Sequence, residues 1–285
     1  MKRIHLCSPA KLNLSLKVLG KRPDGYHNLS TLFEKINLCD DIDLTCTKTG
    51  KIRIACNHPA VPKGERNLAY QAAQMLKEDF GIANGVDIKI VKRIPVAGGL
   101  AGGSSNAATT LLGLNKIWQL DLTKEKLLSY AKRIGSDVPL FIYDYIFCHG
   151  TERGDRIKEV KIDRKFWHIL VTPRLKVYSK EVFKALKIRL TKKADNANIL
   201  TCALRENDVQ TVSQYLSNDL GAAIVRVHPQ LFKIKNNIKS ISGLDVCFSG
   251  SGPSMFAMAP TFLKAKEVAH RLAQRYKDVI VVRTL

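Results

Sequence analysis

The chain has 285 residues, 45% of them hydrophobic and 25% charged, a balance that fits a folded protein with a sizeable core and excludes a disordered one. A typical domain has roughly 100 to 150 residues, so two modules sharing a cleft are expected. Forty-six Lys and Arg against 25 Asp and Glu leave a formal charge of +21, a field that draws in polyanions such as nucleotides or nucleic acid, or that only sets solubility.

In chain order, Leu12, Leu14, Leu16 and Val18 alternate with Asn13, Ser15 and Lys17, the period of a half-buried strand. Arg22-Pro23-Asp24-Gly25 reads as a turn. Strands are predicted at Ile42 to Thr47, Ile52 to Cys56 and Val86 to Val91. Between the last two, Leu68, Ala72, Met75, Leu76 and Phe80 have helical spacing, with Gly81 just past the end. A glycine-rich loop follows, then a buried helix carrying Ala107, Ala108, Leu111, Leu112 and Leu114, then a helix capped by Thr123 that ends near Gly135. HGTERGDR reads as a connection, placing a soft boundary near residue 150 and dividing the chain into 1–150 and 151–285. Beyond it come a strand at Trp167 to Val171 and helices around Lys180 to Leu186, Val209 to Leu216 and Leu231 to Asn236. A strand at Val246 to Phe248, a helix at Phe262 to Tyr276 and a strand at Val279 to Arg283 finish the chain. The class is α+β.

Seven cysteines, an odd number with no C-x-x-C pair, argue against a disulfide framework and a structural zinc site. No secretory h-region follows Lys2 and Arg3, and no apolar run approaches 18 residues. A soluble cytoplasmic protein with no membrane association is expected; an organelle stroma protein stripped of its transit peptide has the same composition. The densest basic cluster, Lys184 to Lys193, lacks interleaved aromatics, which weakens the nucleic-acid reading.

The loop PVAGGLAGGSS runs from Pro95 to Ser105 between a predicted strand and a predicted helix. Glycines let backbone N–H groups approach an anion, and a helix start adds positive partial charge. Ser104-Ser105 stands where a Walker loop has Lys then Ser or Thr, and Leu100 breaks G-x-G-x-x-G, so neither standard nucleotide fingerprint fits. Alone, the loop points to phosphate, with a tight packing turn as the alternative. A second glycine segment, Ser249 to Ser254, reads as a turn. Lys11, inside an amphipathic strand, and Asp137, at the edge of an apolar stretch, are candidates for charge stabilisation and proton acceptance; a solvated charge and a helix N-cap are the plainer readings.

Three segments together, PAKLNLSLKVLGKRPDGYHNLSTLFEKI at Pro9 to Ile36, IPVAGGLAGGSSNAA at Ile94 to Ala108 and SGSGPSMFA at Ser249 to Ala257, resemble the three motifs of the GHMP kinases. Homoserine, galactose and mevalonate kinases share the loop but lack this opening, which resembles the branch acting on a cytidine diphosphate-linked methylerythritol. The resemblance implies an N-terminal ribosomal-protein-like and a C-terminal ferredoxin-like α+β domain with the active site in the cleft. It implies phosphorylation of the substrate's 2-hydroxyl by ATP, with Mg²⁺, whose ligands stay unassigned. Lys11 and Asp137 match the catalytic pair: Asp137 would accept the hydroxyl proton while Lys11 keeps the carboxylate ionised. Pro95, Val96, Ala97, Gly98, Gly99, Leu100, Ala101, Gly102, Gly103, Ser104 and Ser105 would hold the ATP phosphates, and Asn67, Leu68 and Lys92 would line the adenine pocket. Asn13 would position the methylerythritol. Tyr26, His27 and Phe33 would hold cytosine, with core packing as the plainer reading of the two aromatics, and Ser179 and Phe183 would complete its pocket. The partner is thus a small cytidine diphosphate-linked polyol, with no stable nucleic-acid partner expected and a monomer or weak homodimer as the assembly. Ala97 and Ala101 depart from a frequent Gly, and Ser179 from a frequent Thr; the alanines matter only if those positions need positive φ. Two rivals stay open: another GHMP kinase, indifferent to the cytidyl group, and an RNA-binding protein using the same N-terminal fold.

Overall fold

The computed structural model describes residues 2–187 and 196–285; the part of the basic cluster Lys184 to Lys193 beyond residue 187 lies outside them. The chain forms two compact units, neither of them a single stretch: 1–10, 38–96 and 101–144 in the first, 11–37, 97–100 and 145–285 in the second. Two long strands, β1 (Arg3–Lys21) and β2 (His27–Thr47), run through both. The expected strand at Ile42 to Thr47 is therefore only the end of β2.

In the first unit, β3 (Ile52–Cys56) pairs in parallel with β4 (Gly85–Val91), and β4 pairs antiparallel with the end of β2, from Asp41 opposite Val91 to Thr47 opposite Gly85. Helix α1 (Leu68–Asp79) begins where the Asn67 side chain accepts from the Ala69 N–H, and it buries Ala69, Ala72, Ala73 and Leu76, the spacing of one helical face. Helix α2 (Gly102–Ile117) buries residues around most of its circumference. It lies close on the sheet because Gly113 has no side chain: a Cβ there would stand 2.4 Å from Leu44 Cδ1 and 2.7 Å from Leu6 Cδ1. Helix α3 (Lys124–Ile134) starts on the Thr123 cap and buries Leu127, Tyr130 and Ala131, and a short 3-10 turn, Pro139–Phe141, follows.

The second unit holds what the sequence concealed. HGTERGDR is no simple connection; it is most of a hairpin, β5 (Phe147–Glu152) and β6 (Arg156–Glu159), in which β5 pairs with β2 from Leu29 opposite Glu152 to Glu34 opposite Phe147. A four-stranded antiparallel sheet follows, built from β7 (Trp167–Val171), β9 (Cys247–Phe248), β10 (Met255–Ala259) and β11 (Val279–Arg283) in the order β11-β7-β10-β9. Strand β10 has no alternation to read, since all its residues are buried, the pattern of a central strand covered on both faces. The intervening elements are α4 (Ser179–Lys184), α5 (Ala197–Glu206), α6 (Val209–Tyr215), β8 (Ser217–Asn218), α7 (Gly221–Val227), α8 (Gln230–Ser242) and α9 (Phe262–Ala273). Ile169, Val171, Ile224, Leu231, Met255, Val268 and Leu272 form the heart of the core. On the opposite face of β7, Glu34, buried, accepts from Thr284 Oγ1 at 2.6 Å and lies 3.0 Å from His168 Nε2, tying β2 to β7 and to Thr284 beyond β11. Among the described residues no helix is long and apolar enough to cross a membrane.

The first strand departs from the half-buried expectation. Leu12 and Leu14 are buried, each worth roughly 1.5–3 kcal/mol against exposure, but Lys11, Asn13 and Ser15 on the other face are buried too, at 3%, 2% and 3% exposure. Burying three polar groups requires partners, and those partners form the candidate site.

Candidate active site

In the second unit the buried polar face of β1 organises a linked set of side chains. Lys11 Nζ donates to Asn13 Oδ1, Asn13 Nδ2 donates to Thr31 Oγ1 at 2.8 Å, and Thr31 Oγ1 donates to the Ser15 carbonyl at 2.6 Å. The Lys11 ammonium also lies 5.4 Å from the centre of the Phe33 ring, a cation–π distance. Thr31 is a member of this set that the sequence reading missed; it lies on β2 and its partners on β1, and no spacing rule connects them.

The third motif folds onto this set. The Asn218 side chain holds it by donating to the carbonyls of Phe248 at 2.9 Å and Gly250 at 2.7 Å. Gly250 and Gly252 both take positive φ, 53° and 73°. A Cβ at Gly250 would stand 3.0 Å from the Gly99 carbonyl oxygen, 3.3 Å from Lys11 Nζ and 3.5 Å from Asn13 Oδ1, so the segment read as a turn is backbone pressed against the candidate catalytic lysine. Ser254 N–H donates to the Gly98 carbonyl at 3.2 Å, and Ser249 Oγ donates to that of Gly99 at 3.0 Å. Ser179 Oγ and Ser251 Oγ are hydrogen-bonded at 2.7 Å, which brings the expected Ser179 to the same motif.

Along the loop, φ turns positive at every second residue: Ala97 at 55°, Gly99 at 77° and Ala101 at 56°. Alternating hand is the backbone form of an anion nest, because it turns successive N–H groups to one side. The alanines therefore do occupy left-handed positions, where a Cβ costs roughly 1–2 kcal/mol. Helix α2 begins at Gly102, ahead of the serines expected to open it, with Ala101 as its N-cap. Gly102 is required by space: a Cβ would meet Lys92 Nζ and Ile94 Cγ2, both at 2.9 Å.

In the first unit a buried polar hub underlies the start of α2. Asp40, fully buried, accepts from the N–H groups of Arg93 at 2.8 Å and Ile94 at 2.9 Å through Oδ1, and from Lys92 Nζ and Asn106 Nδ2 through Oδ2. Asn106 Nδ2 also donates to Ser8 Oγ at 2.9 Å, and Ser8 Oγ to Ser105 Oγ at 2.8 Å. The structure thus places the Lys92 head in an ion pair, 4% exposed, behind the loop. Asn67 caps α1 and is 7% exposed, while Leu68 Cδ1 lies 4.0 Å from a Cβ built at Gly103, beside the loop. Asp137 is half-buried, next to Val138, the N-cap of the 3-10 turn, which has no side-chain cap bond. Its carboxylate is not spent on a cap at that turn.

The expected base-binding residues gather in the second unit. His27 and Phe183 rings stack at 5.1 Å and 26°. Burial, then nearby Lys21, push the His27 imidazole below its ordinary value of 6.5, so the ring is neutral at pH 7 and has one donor and one acceptor edge. Phe33 is 2% exposed and Tyr26 is 52% exposed: one packs, the other offers a surface.

The described residues contain one group of His, Cys and Asp within metal-ligand range, His5, Cys7 and Asp41. Arg93 already holds both Asp41 oxygens, and a thiolate set does not suit Mg²⁺.

The chain matches the family models for the GHMP kinases N terminal domain over residues 67–145 and the GHMP kinases C terminal domain over residues 202–278. It is 39% identical to the 4-diphosphocytidyl-2-C-methyl-D-erythritol kinase of Bacillus velezensis, over 99% of this chain and 97% of that one. With the protein of the same name in Clostridium novyi it shares 38%, over 97% of this chain and 98% of that one. Among solved structures, a 4-(cytidine 5'-diphospho)-2C-methyl-D-erythritol kinase aligns with a TM-score of 0.84 and 28% identity, covering 99% of this chain and all (100%) of its own. The homoserine kinase of Cytophaga hutchinsonii aligns at 0.74 with 18% identity, covering 100% of this chain and 95% of its own, a likeness of fold alone.

Proposed function

The chain belongs to the 4-diphosphocytidyl-2-C-methyl-D-erythritol kinase family of the GHMP kinases, and from that premise we propose that it transfers the γ-phosphoryl group of ATP to the 2-hydroxyl of 4-diphosphocytidyl-2-C-methyl-D-erythritol. The products are the 2-phosphate and ADP, within non-mevalonate isoprenoid precursor synthesis. The observation that carries the substrate assignment is the stack of His27 on Phe183, with the exposed ring of Tyr26 next to His27 in the chain. A free polyol has no planar ring for such a surface to hold; a cytosine does.

Asp137 takes the proton of the 2-hydroxyl as its oxygen attacks the γ-phosphorus, and the bond to the β-phosphate oxygen breaks. Lys11, turned toward Asn13 and the third motif, neutralises developing negative charge. Asn13, fixed from behind by Thr31, orients the methylerythritol. The alternating loop and the start of α2 hold the phosphates, and Leu68 lies beside that loop on the adenine side. Lys92 acts from its buried position, supporting the loop through Asp40. Ser179 and Phe183 close the base pocket. Mg²⁺, whose protein ligands stay unassigned, would supply charge neutralisation at the phosphates when bound with the nucleotide. The protein works in the cytoplasm as a monomer or weak homodimer, with no nucleic-acid partner.

Turnover of ATP measured with the diphosphocytidyl substrate and with free methylerythritol tests the substrate. Equal rates would overturn the cytidyl assignment and favour another GHMP kinase activity. Asp137→Asn separates chemistry from binding: transfer should fall by about 10²–10⁴-fold while ATP affinity stays near that of the unaltered protein. Near-full turnover would remove Asp137 as the base.

A further inference from the structure

The β5–β6 hairpin carries a charged pair absent from the three motifs. The Arg153 guanidinium carbon lies 5.1 Å from the centre of the Tyr26 ring. Nε and Nη2 of Arg153 both donate to Asp155 Oδ2, at 3.1 and 2.6 Å. Asp155 is 7% exposed, and its other oxygen, Oδ1, is buried without a partner. That carboxylate depends on Arg153 for compensation, since a buried charge stripped of its counter-ion is costly, so the guanidinium is pinned over the ring. The turn itself is fixed by its glycines. A Cβ at Gly150 would come within 2.5 Å of Phe33 Cε2, and Gly154 has φ of 86° with Phe33 Cζ 3.7 Å from where its Cβ would lie. One hairpin therefore packs Phe33 against its glycines and presents a cation to Tyr26.

We infer that Arg153 is a positioning residue for the base end of the substrate: it occupies one face of the Tyr26 ring and holds that ring so that its other face receives the pyrimidine. This rests on the functional reading above. Tyr26 is 52% exposed; without a backing partner it would sample several rotamers and lose them on binding, and a ring already held loses fewer. The cation–π contact supplies the hold, and the planar guanidinium suits it better than an ammonium. Asp155 aims the guanidinium. The hairpin thus contributes to selection of a planar base over a bare polyol, without touching the reacting atoms.

Steady-state kinetics on Arg153→Met, Tyr26→Ala and the double variant test this. Arg153→Met should raise KM for the diphosphocytidyl substrate about fivefold, within the range of a cation–π contact, while kcat and KM for ATP keep their values. In the Tyr26→Ala background the same change should cost less than about twofold, because its target is gone. Arg153→Lys should restore only part of the loss. Equal fold-losses in both backgrounds, or none in either, would overturn the inference. If the unaltered enzyme ignores the cytidyl group, the functional reading falls and this inference with it; if it depends on that group and the losses are additive, only the inference falls. Should Arg153→Met prove unstable in a thermal melt, Asp155→Asn, which releases the guanidinium but leaves it in place, serves in the same cycle, with the same two results deciding.

Discussion

The glycine loop and the proposed base pocket are built from different materials. The loop is built from backbone: its distinguishing features are φ values at Ala97, Gly99 and Ala101 and the absence of side chains where Ser249, Gly252, Lys92 and Ile94 approach. The proposed base pocket is built from side chains: His27 on Phe183, Arg153 over Tyr26, Phe33 against the hairpin glycines. A backbone cradle suits phosphate, which presents the same charged oxygens in every nucleotide. A cytosine must be told from other groups by its planar face and its edges, and only side chains vary enough to do that.

The contrast can be broken most forcefully beneath the loop. Asp40→Ala strands a buried ammonium at Lys92 and frees two N–H groups leading into the loop, at Arg93 and Ile94. Breaking a buried pair in this way costs about 3–5 kcal/mol, to be read from urea unfolding. A cost under about 1 kcal/mol would mean that the hub does not support the loop. Gly99→Ala should follow, at about 2–5 kcal/mol, from left-handed strain together with overpacking; its Cβ would stand 2.2 Å from the Ser249 carbonyl oxygen, and Ser249 is backbone that cannot step aside alone.

Much of this was open to inspection in the sequence, and unevenly so. Ile52 to Cys56, Trp167 to Val171 and the Thr123 cap emerged where alternation and capping put them, because those signals are local. Strand β10 and the β5–β6 hairpin were not readable: one is buried on both faces and lacks alternation, the other hides in a run of charges and glycines. In the loop, glycine marked the region without marking the strained positions. Of Gly98, Gly99, Gly102 and Gly103, only Gly99 has positive φ, while two alanines share that conformation. Lys11 and Asn13 stand out in the sequence through their motif, but the contacts of Thr31 with Asn13, of Asp40 with Lys92 and of Arg153 with Tyr26 join residues distant in sequence, and nothing in a linear spacing joins 26 to 153.

On the side-chain half of the comparison the expected effects are smaller and more selective. Tyr26→Ala should raise KM for the cytidyl substrate about tenfold, the worth of one aromatic stacking contact, with KM for ATP unchanged; matching losses for both substrates would make Tyr26 a packing residue. The smallest effect returns to the loop. Ala101→Gly removes a Cβ from a left-handed position but adds freedom to the unfolded chain, so the net gain should be at most about 1 kcal/mol, seen as a small upward shift of the melting midpoint. A loss of stability would show that the alanine side chain has a packing role that outweighs its strain.

The alternating φ of the loop also sets the terms on which these positions drift. Selection among neighbours in sequence space is usually a matter of volume and polarity, but at 97 and 101 it is a matter of chirality. Gly, Asn and Asp, which visit the left-handed region readily, are the neutral steps open to those alanines. Valine, isoleucine and threonine, though close to alanine in a genetic or chemical sense, are closed to them. Position 99 admits one residue. A deep mutational library of this segment would thus show tolerance alternating with intolerance along the chain, a rhythm set by handedness with the period of a strand in a segment that is no strand.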